Sequence, residues 1–184
     1  MKTDSIVVKE SSFLDGQLGV VAKSNFKRGD VLFTVNGPIL GKPTKYSFSI
    51  GLDKHIDPIK NDGKFDFGHY LNHSCDPNTF VRIIEKDKFP YIEIIARRDI
   101  ESGEELAFDY ASLEYDTIVS GNCKCSTRKC RGVIHGFKDL HEDIVRQYKK
   151  EGMIPAHLLH NNINQDRPNS KDAKAPMAKN IPTH

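Results

Sequence analysis

From residue 5 to residue 35 the apolar positions come in short runs broken by turn-forming residues: SIVVKE, then LDGQLG, then VVAKSNFKRGDVLFTV. The β-branched content of the runs, with glycine and Asp-Gly between them, predicts short strands. GPILGKP is a Gly/Pro-rich connector, and KYSFSIGLDKHID resumes the alternation from Tyr46. KNDGKFDFG predicts a polar turn region. NTFVRIIE and YIEIIARRDI, separated by KDKFP, predict a hairpin, and ESGEELAFDY predicts a turn and one more strand. After Tyr110 the pattern stops: GNCKCSTRKCRG is small and basic, with neither a strand nor a helix period. FKDLHEDIVRQYKKEG restores one, placing Phe137, Leu140, Ile144, Val145 and Tyr148 near i, i+3/i+4 spacing. That spacing predicts a single amphipathic helix ended by Gly152. From Asn161 the chain is rich in Asn, Lys and Pro, without one Phe, Tyr or Trp, which predicts disorder. No repeat is visible, and the body is mainly β with few helices.

Length and charge narrow the picture further. A chain of 184 residues is long enough for one well-cored domain and short for two. The net charge is +2, and the segment after His160 carries Arg167, Lys171, Lys174 and Lys179 against Asp166 and Asp172. The rest of the chain is therefore close to neutral, without the basic face of a nucleic-acid binder. No apolar run approaches the roughly 18 residues of a membrane span. MKTDSIVVKE has charges where a signal peptide needs its apolar stretch. The expectation is a soluble intracellular protein, in which thiols stay reduced.

The four cysteines then call for another explanation than disulfides. Cys123, Cys125 and Cys130 form C-x-C-x4-C, and Cys75 is the fourth. Three plus one is the ligand count of a closed structural zinc site, and a segment so poor in apolar residues has no other obvious means of offsetting its ordering entropy. Lys124, Arg128, Lys129 and Arg131 could offset the negative charge of four thiolates. Two other readings stay open from the residues alone. The cysteines can be ordinary reduced thiols in a solvated loop, or Cys75 can be a nucleophile with His73 or His69 as its base.

Three motifs in order carry a resemblance: NHSCDPN (72–78), GEELAFDY (103–110) and CKCSTRKCRG (123–132). Over roughly residues 5 to 134 the chain resembles a SET-domain protein-lysine N-methyltransferase with a post-SET zinc segment. The resemblance implies the SET fold, small β-sheets around a pseudoknot in which the strand carrying FDY tucks under an earlier loop. It divides the chain into a SET domain (5–112), a post-SET zinc segment (113–134), a C-terminal helical extension (135–160) and a disordered tail (161–184). It implies that Asn72 and His73 bind S-adenosylmethionine, and that Cys75 joins Cys123, Cys125 and Cys130 around one structural zinc ion. The family's G-x-G is GQLGV here, which assigns backbone contacts to Leu18, Gly19 and Val20, with Gly16 supplying flexibility. Tyr46 falls where the family often has a cofactor-contacting tyrosine. His69-Tyr70 stands where Arg-Phe is usual, on the adenine side.

The resemblance also gives Tyr110 the catalytic place, its hydroxyl beside the sulfonium and the amine, and makes Phe108 a wall of the lysine channel. Phenylalanine rather than tyrosine at 108 leaves room for a methylated amine to turn, which implies di- or trimethylation. The implied partner is a protein or peptide lysine, a histone tail among the candidates, with the enzyme a monomer in cytoplasm or nucleus that contacts neither nucleic acid nor membrane. A catalytically silent SET-like module that binds a peptide is the alternative, and a cysteine hydrolase a third.

Overall fold

The computed structural model describes residues 3–60, 62–85 and 89–161. Its strands are β1 (Ile6–Glu10), β2 (Leu18–Ala22), β3 (Val31–Val35), β4 (Ile39–Leu40), β5 (Phe48–Gly51), β6 (Lys54–Ile56), β7 (Asn72–His73), β8 (Thr79–Ile84), β9 (Tyr91–Ala96), β10 (Glu105–Phe108), β11 (Gly121–Asn122) and β12 (Val133–Ile134). Two helices follow, α1 (Glu142–Lys150) and α2 (Ala156–Asn161). The predicted tail beyond residue 161 lies outside the described residues. Among these no helix is long and apolar enough to cross a membrane.

The strands assemble into small sheets rather than one large one: β1-β2-β10-β7, β3-β9-β8, β4-β6-β5 and the pair β11-β12. The β8–β9 hairpin forms as the two runs either side of KDKFP predict, with Thr79 opposite Ala96 and Ile84 opposite Tyr91. Val20, Leu32, Val35, Ile56, Ile92, Ile94 and Leu106 are fully buried where the sheets face one another. At about 25 cal/mol per Å² of apolar area, that burial is what holds this part of the chain together.

The last strand of the body enters between earlier ones. β10 pairs antiparallel with β2, Glu105 opposite Val21, and parallel with β7, Ala107 opposite Asn72 and Phe108 opposite His73. Asn78 serves β10 as a surrogate strand: its Oδ1 accepts from the Ala107 N–H (2.9 Å) and its amide donates to the Glu105 carbonyl (2.8 Å). The stretch 72–78 thus wraps β10, the threaded arrangement that short-range pattern reasoning would not propose.

The C-terminal region differs from expectation. The predicted single helix from Phe137 is broken: Phe137–Asp139 is a 3-10 turn, Leu140 and His141 are extended, and α1 starts at Glu142. The cause is local, because the His141 side chain accepts from the Asp143 N–H and caps a new helix start. Gly152 ends α1 at a φ of 70°, and α2 follows as a second helix that the sequence reading lacked. Phe137, Leu140, Val145, Tyr148, Met153 and Leu158 form a second small core against Ala111, just past the end of β10.

Candidate active site and metal centre

The parallel step of β7 against β10 brings the two motifs into one place. Asn72 and His73 are buried, and the His73 and Tyr110 rings meet edge to face at 5.1 Å. His73 Nδ1 accepts from the Tyr110 N–H (3.3 Å), which leaves the proton on Nε2, 3.3 Å from the Cys75 sulfur. Burial holds the imidazole neutral, its pKa lowered to about 4. Both ring nitrogens are therefore committed within the protein. The Asn72 amide is also engaged, donating to the Leu18 carbonyl (3.0 Å) and to Glu105 (2.8 Å), so its carbonyl oxygen is the end left for a ligand.

Glu105 has no counterpart in the sequence reading, and it organises this corner. Its carboxylate accepts from the Ser11 hydroxyl (3.0 Å), from the Ser12 N–H (2.6 Å) and hydroxyl (2.8 Å), and from Asn72. One buried acid thus ties the loop before β2 to β10 and to the Asn-His pair. Gly19 is glycine for the same reason: a Cβ there would run into the Glu105 carboxylate. Gly16 sits at a φ of 70°, supplying the turn just ahead. Of the three backbone positions expected at the turn, Leu18 opens to solvent and lines the cleft, Gly19 is packed on Glu105, and the Val20 side chain is fully buried in the core. Val20 is paired with Val8 on one side and Leu106 on the other, so of the three only Leu18 faces the cleft. A signal for Glu105 did exist, as the one acid inside a strand otherwise fully apolar.

These residues border a cleft of about 770 Å³ that Leu18, Tyr46, His69, Tyr70, Asn72, Phe108 and Tyr110 all line. His69 lies between Tyr46 and Phe65, its ring 3.8 Å from each. At the other end Phe108 stacks on Phe48 (5.5 Å) and meets Tyr110 (4.9 Å), so the two alternate strand residues do share a face. The Tyr110 hydroxyl donates to the Leu71 carbonyl at 3.0 Å. Burial pushes its pKa well up, so it stays a neutral phenol with lone pairs to offer. From the post-β10 side the cleft is closed by residues such as Ile134 and Lys124 rather than by tryptophan, which the chain lacks.

The four cysteines converge. Their sulfurs lie within 4.8 Å of one another, and Cys75 and Cys123 are 3.7 Å apart. Zinc–sulfur bonds near 2.3 Å in a tetrahedron set sulfurs about 3.8 Å apart, so the donor set fits one zinc ion. The surroundings fit thiolates as well. Cys75 accepts from the Arg131 N–H, Cys123 from the Cys125 N–H and Cys130 from the Gly132 N–H, at 3.4–3.5 Å. Burial pushes the Cys75 thiol up to about 11, a cost that a bound cation would offset.

Two basic residues of the segment also make ion pairs away from the sulfurs. Lys129 pairs with Asp76 (3.1 Å), and the Arg131 guanidinium grips Asp109 with two bonds of 2.7 and 2.8 Å. Asp109 is fully buried, and it also accepts from the Tyr148 hydroxyl of α1 (2.8 Å) and from the Ala111 N–H (3.1 Å). The residue beside Tyr110 is thus structural, and it pins the cysteine segment and α1 to the end of β10.

Residues 17–111 match the SET domain family. The Arabidopsis thaliana histone-lysine N-methyltransferase ATX2 is 29% identical over 130 residues, 64% of this chain and 12% of that protein. A Schizosaccharomyces pombe histone-lysine N-methyltransferase, H3 lysine-4 specific, is 32% identical over 133 residues, 64% of this chain and 14% of that protein. The chain thus spans a small part of the length of these curated relatives. Among solved structures, the methyltransferase domain of human histone-lysine N-methyltransferase SETMAR superposes with a TM-score of 0.58 at 19% identity, over 71% of this chain and 58% of that one.

Proposed function

The chain belongs to the SET-domain family, and from that premise we propose that it is an S-adenosylmethionine-dependent protein-lysine N-methyltransferase. The observation that carries the reading is the register of β7 against β10, which sets Asn72 and His73 beside Phe108 and Tyr110 on the wall of one cleft. The cofactor, when bound, supplies a methyl group activated on a positively charged sulfur. The Asn72 carbonyl oxygen, beside Leu18 on the cleft wall, is suited to hold its amino-acid end. Tyr46, His69 and Tyr70 offer rings to its adenine end.

The chain's own work is on the lysine. A free lysine amine titrates near 10.4, so presenting it neutral at pH 7 costs about 4.6 kcal/mol. Phe48, Phe108 and Tyr110 form an aromatic wall that lowers this cost by keeping water from the ammonium. Tyr110 then orients the amine through its hydroxyl without adding a negative charge that would hold the proton on. In-line transfer needs alignment above all, which suits residues as firmly placed as these. Cys75, Cys123, Cys125 and Cys130 would hold a structural zinc ion, which would fix the segment that closes the cleft.

The substrate is a lysine-bearing protein, with a histone tail the first choice because the matched relatives are named for histone lysines. Phe108 carries no hydroxyl, so the product is di- or trimethyl-lysine. The test combines equilibrium binding of S-adenosylmethionine with turnover on lysine peptide pools, using an isotopically labelled methyl group and mass spectra over time. Cofactor binding without transfer to any peptide or proteome would leave a silent binding module. An end point at one methyl group would overturn the assignment to Phe108.

A further inference from the structure

Glu114 lies four residues beyond Tyr110, on the wall of the same cleft, and nothing in the reaction proposed above uses it. Its backbone is fixed at both ends: its N–H donates to the Tyr110 carbonyl (2.9 Å), and its own carbonyl accepts from the Phe137 N–H (2.8 Å). The side chain reaches across to β5, where it accepts from the Ser49 N–H at 3.1 Å. Ser49 is the residue after Phe48, whose ring stacks on Phe108. The carboxyl therefore sits one residue along the strand from the aromatic wall of the lysine channel. Among the described residues no basic side chain pairs with it. The cleft's other acid in the lining, Asp15, belongs to the loop before β2, at the Leu18 end.

We infer that Glu114 selects the substrate: its carboxylate takes the cationic side chain of an arginine or lysine that flanks the target lysine. This inference rests on the lysine methyltransferase reading. Burial pushes the Glu114 carboxyl up to about 7, so an ion pair with an incoming guanidinium or ammonium recovers a cost the free protein carries. A neutral neighbour offers no such return, and an acidic one adds to the cost. The flanking residue is the fitting partner rather than the target lysine itself, because a carboxylate beside the target would hold it as an ammonium, which cannot accept a methyl group. The pinned backbone matters too. A carboxyl on a fixed segment discriminates between positions in a peptide, where one on a mobile loop would follow any positive charge.

The test uses fluorescent peptide pools, each with one central lysine and with Arg, Gln or Glu at the flanking positions. Binding is read at pH 8 by anisotropy with S-adenosylhomocysteine present, and initial rates are read separately. Wild type is expected to bind the Arg-flanked pool about tenfold more tightly than the Gln-flanked pool. Glu114→Gln keeps an acceptor for Ser49 and removes the charge; it is expected to erase that preference by weakening the Arg-flanked pool alone. Glu114→Lys should favour the Glu-flanked pool, which tests the sign of the charge, and urea unfolding checks that each variant is folded before its binding is read. A wild type that does not discriminate, or a Glu114→Gln protein that still prefers arginine, overturns the inference. Absence of turnover on every pool, with cofactor binding intact, counts against the methyltransferase reading instead, since the peptide preference is measured without turnover.

Discussion

The strand body and the cysteine segment meet at Tyr110 and are held by different physics. Before Tyr110, fully buried residues such as Val20, Leu32, Ile56, Ile94 and Leu106 hold the sheets together by removing apolar area from water. Between Gly121 and Ile134 the side chains are half-buried or exposed, save Cys125, and Val133 is 44% exposed. What fixes that stretch is a cluster of four sulfurs and one buried ion pair, Arg131 on Asp109. A core loses stability gradually when trimmed. A chelate or a buried ion pair is lost at once, because removing one partner strands the others. The part of the cleft contributed by Asn122, Cys123, Lys124, Cys125 and Ile134 therefore depends on bonds that can be broken one at a time.

The largest expected effect follows from the metal. The protein should carry about one zinc ion per chain, and removing it should disorder residues 121–134, the β11–β12 pair included, while the three larger sheets persist. Structural zinc in small metal-folded units is worth on the order of 10–16 kcal/mol, far more than that segment's apolar contacts can replace. Hydrogen exchange with and without chelator should show protection lost between Gly121 and Ile134 and retained in β8, β9 and β10. Cofactor affinity should fall at the same time. Full cofactor affinity in metal-free protein, or unchanged zinc content in Cys75→Ser, would put both regions on the same footing and end the contrast.

The ion pair sharpens the comparison, because it can be removed with the sulfurs intact. Arg131→Met leaves Asp109 buried with Tyr148, the Ala111 N–H and, 3.6 Å away, the neutral His73 ring, and no cation to match its charge. Breaking a buried pair from one side costs about 3 kcal/mol. Zinc content should be unchanged, while protection drops in the cysteine segment and in α1 together, since both hang on Asp109. A loss confined to the cysteine segment would mean that α1 is held independently of Asp109, by its apolar contacts and the Arg97–Glu151 pair.

Tyr110 lies at the seam, and its hydroxyl is a smaller lever. Tyr110→Phe gives up the bond to the Leu71 carbonyl but almost no volume, so both regions should keep their structure. Methyl transfer should nevertheless fall about 100-fold, the size of effect seen when one positioned transition-state contact is lost. Single-turnover rates measured beside cofactor affinity will separate the two. More than half the parent rate in the variant would remove Tyr110 from the mechanism.

The contrast between the regions also explains what could be read from the chain alone. The β8–β9 hairpin, β1 and β2 were legible because β-branched runs stand between turn-forming residues, a mark carried by neighbouring positions. The convergence of Cys75 with Cys123, Cys125 and Cys130 was legible because their chemistry is scarce in the chain, and the family motifs supplied the order. Glu105 was visible as the acid in an apolar strand, but its role was missed because its partners Ser11 and Ser12 lie 94 and 93 residues away and nothing local names them. The split of the predicted helix at Leu140 was missed because apolar spacing carried no trace of the His141 cap. Arg131 stood in view, but as one of four basic residues available to the sulfurs, and only the fold sends it to Asp109.

Glu114 is the smallest lever, and its sign can be worked out. Burial raises its folded pKa to about 7 from an ordinary value near 4.5, so folding favours the protonated acid. The stability this contributes is fully present below about 4.5 and is lost as pH rises through 7. His73 runs the other way: its pKa is lowered to about 4, so its contribution is lost as pH falls, which masks the Glu114 trend in wild type alone. Comparing Glu114→Gln with wild type cancels the histidine, because the variant keeps it. A shift of this size corresponds to about 3 kcal/mol at most, and partial exposure to the cleft brings the expected gain of the variant over wild type to about 2 kcal/mol more at pH 8 than at pH 5. Urea unfolding of both proteins at the two pH values measures that difference directly. A gain that does not depend on pH would mean that Glu114 is ionised at little cost in the folded protein. The cleft would then be wetter at the aromatic end than its lining suggests, and the amine would have to lose its proton with less help from the walls.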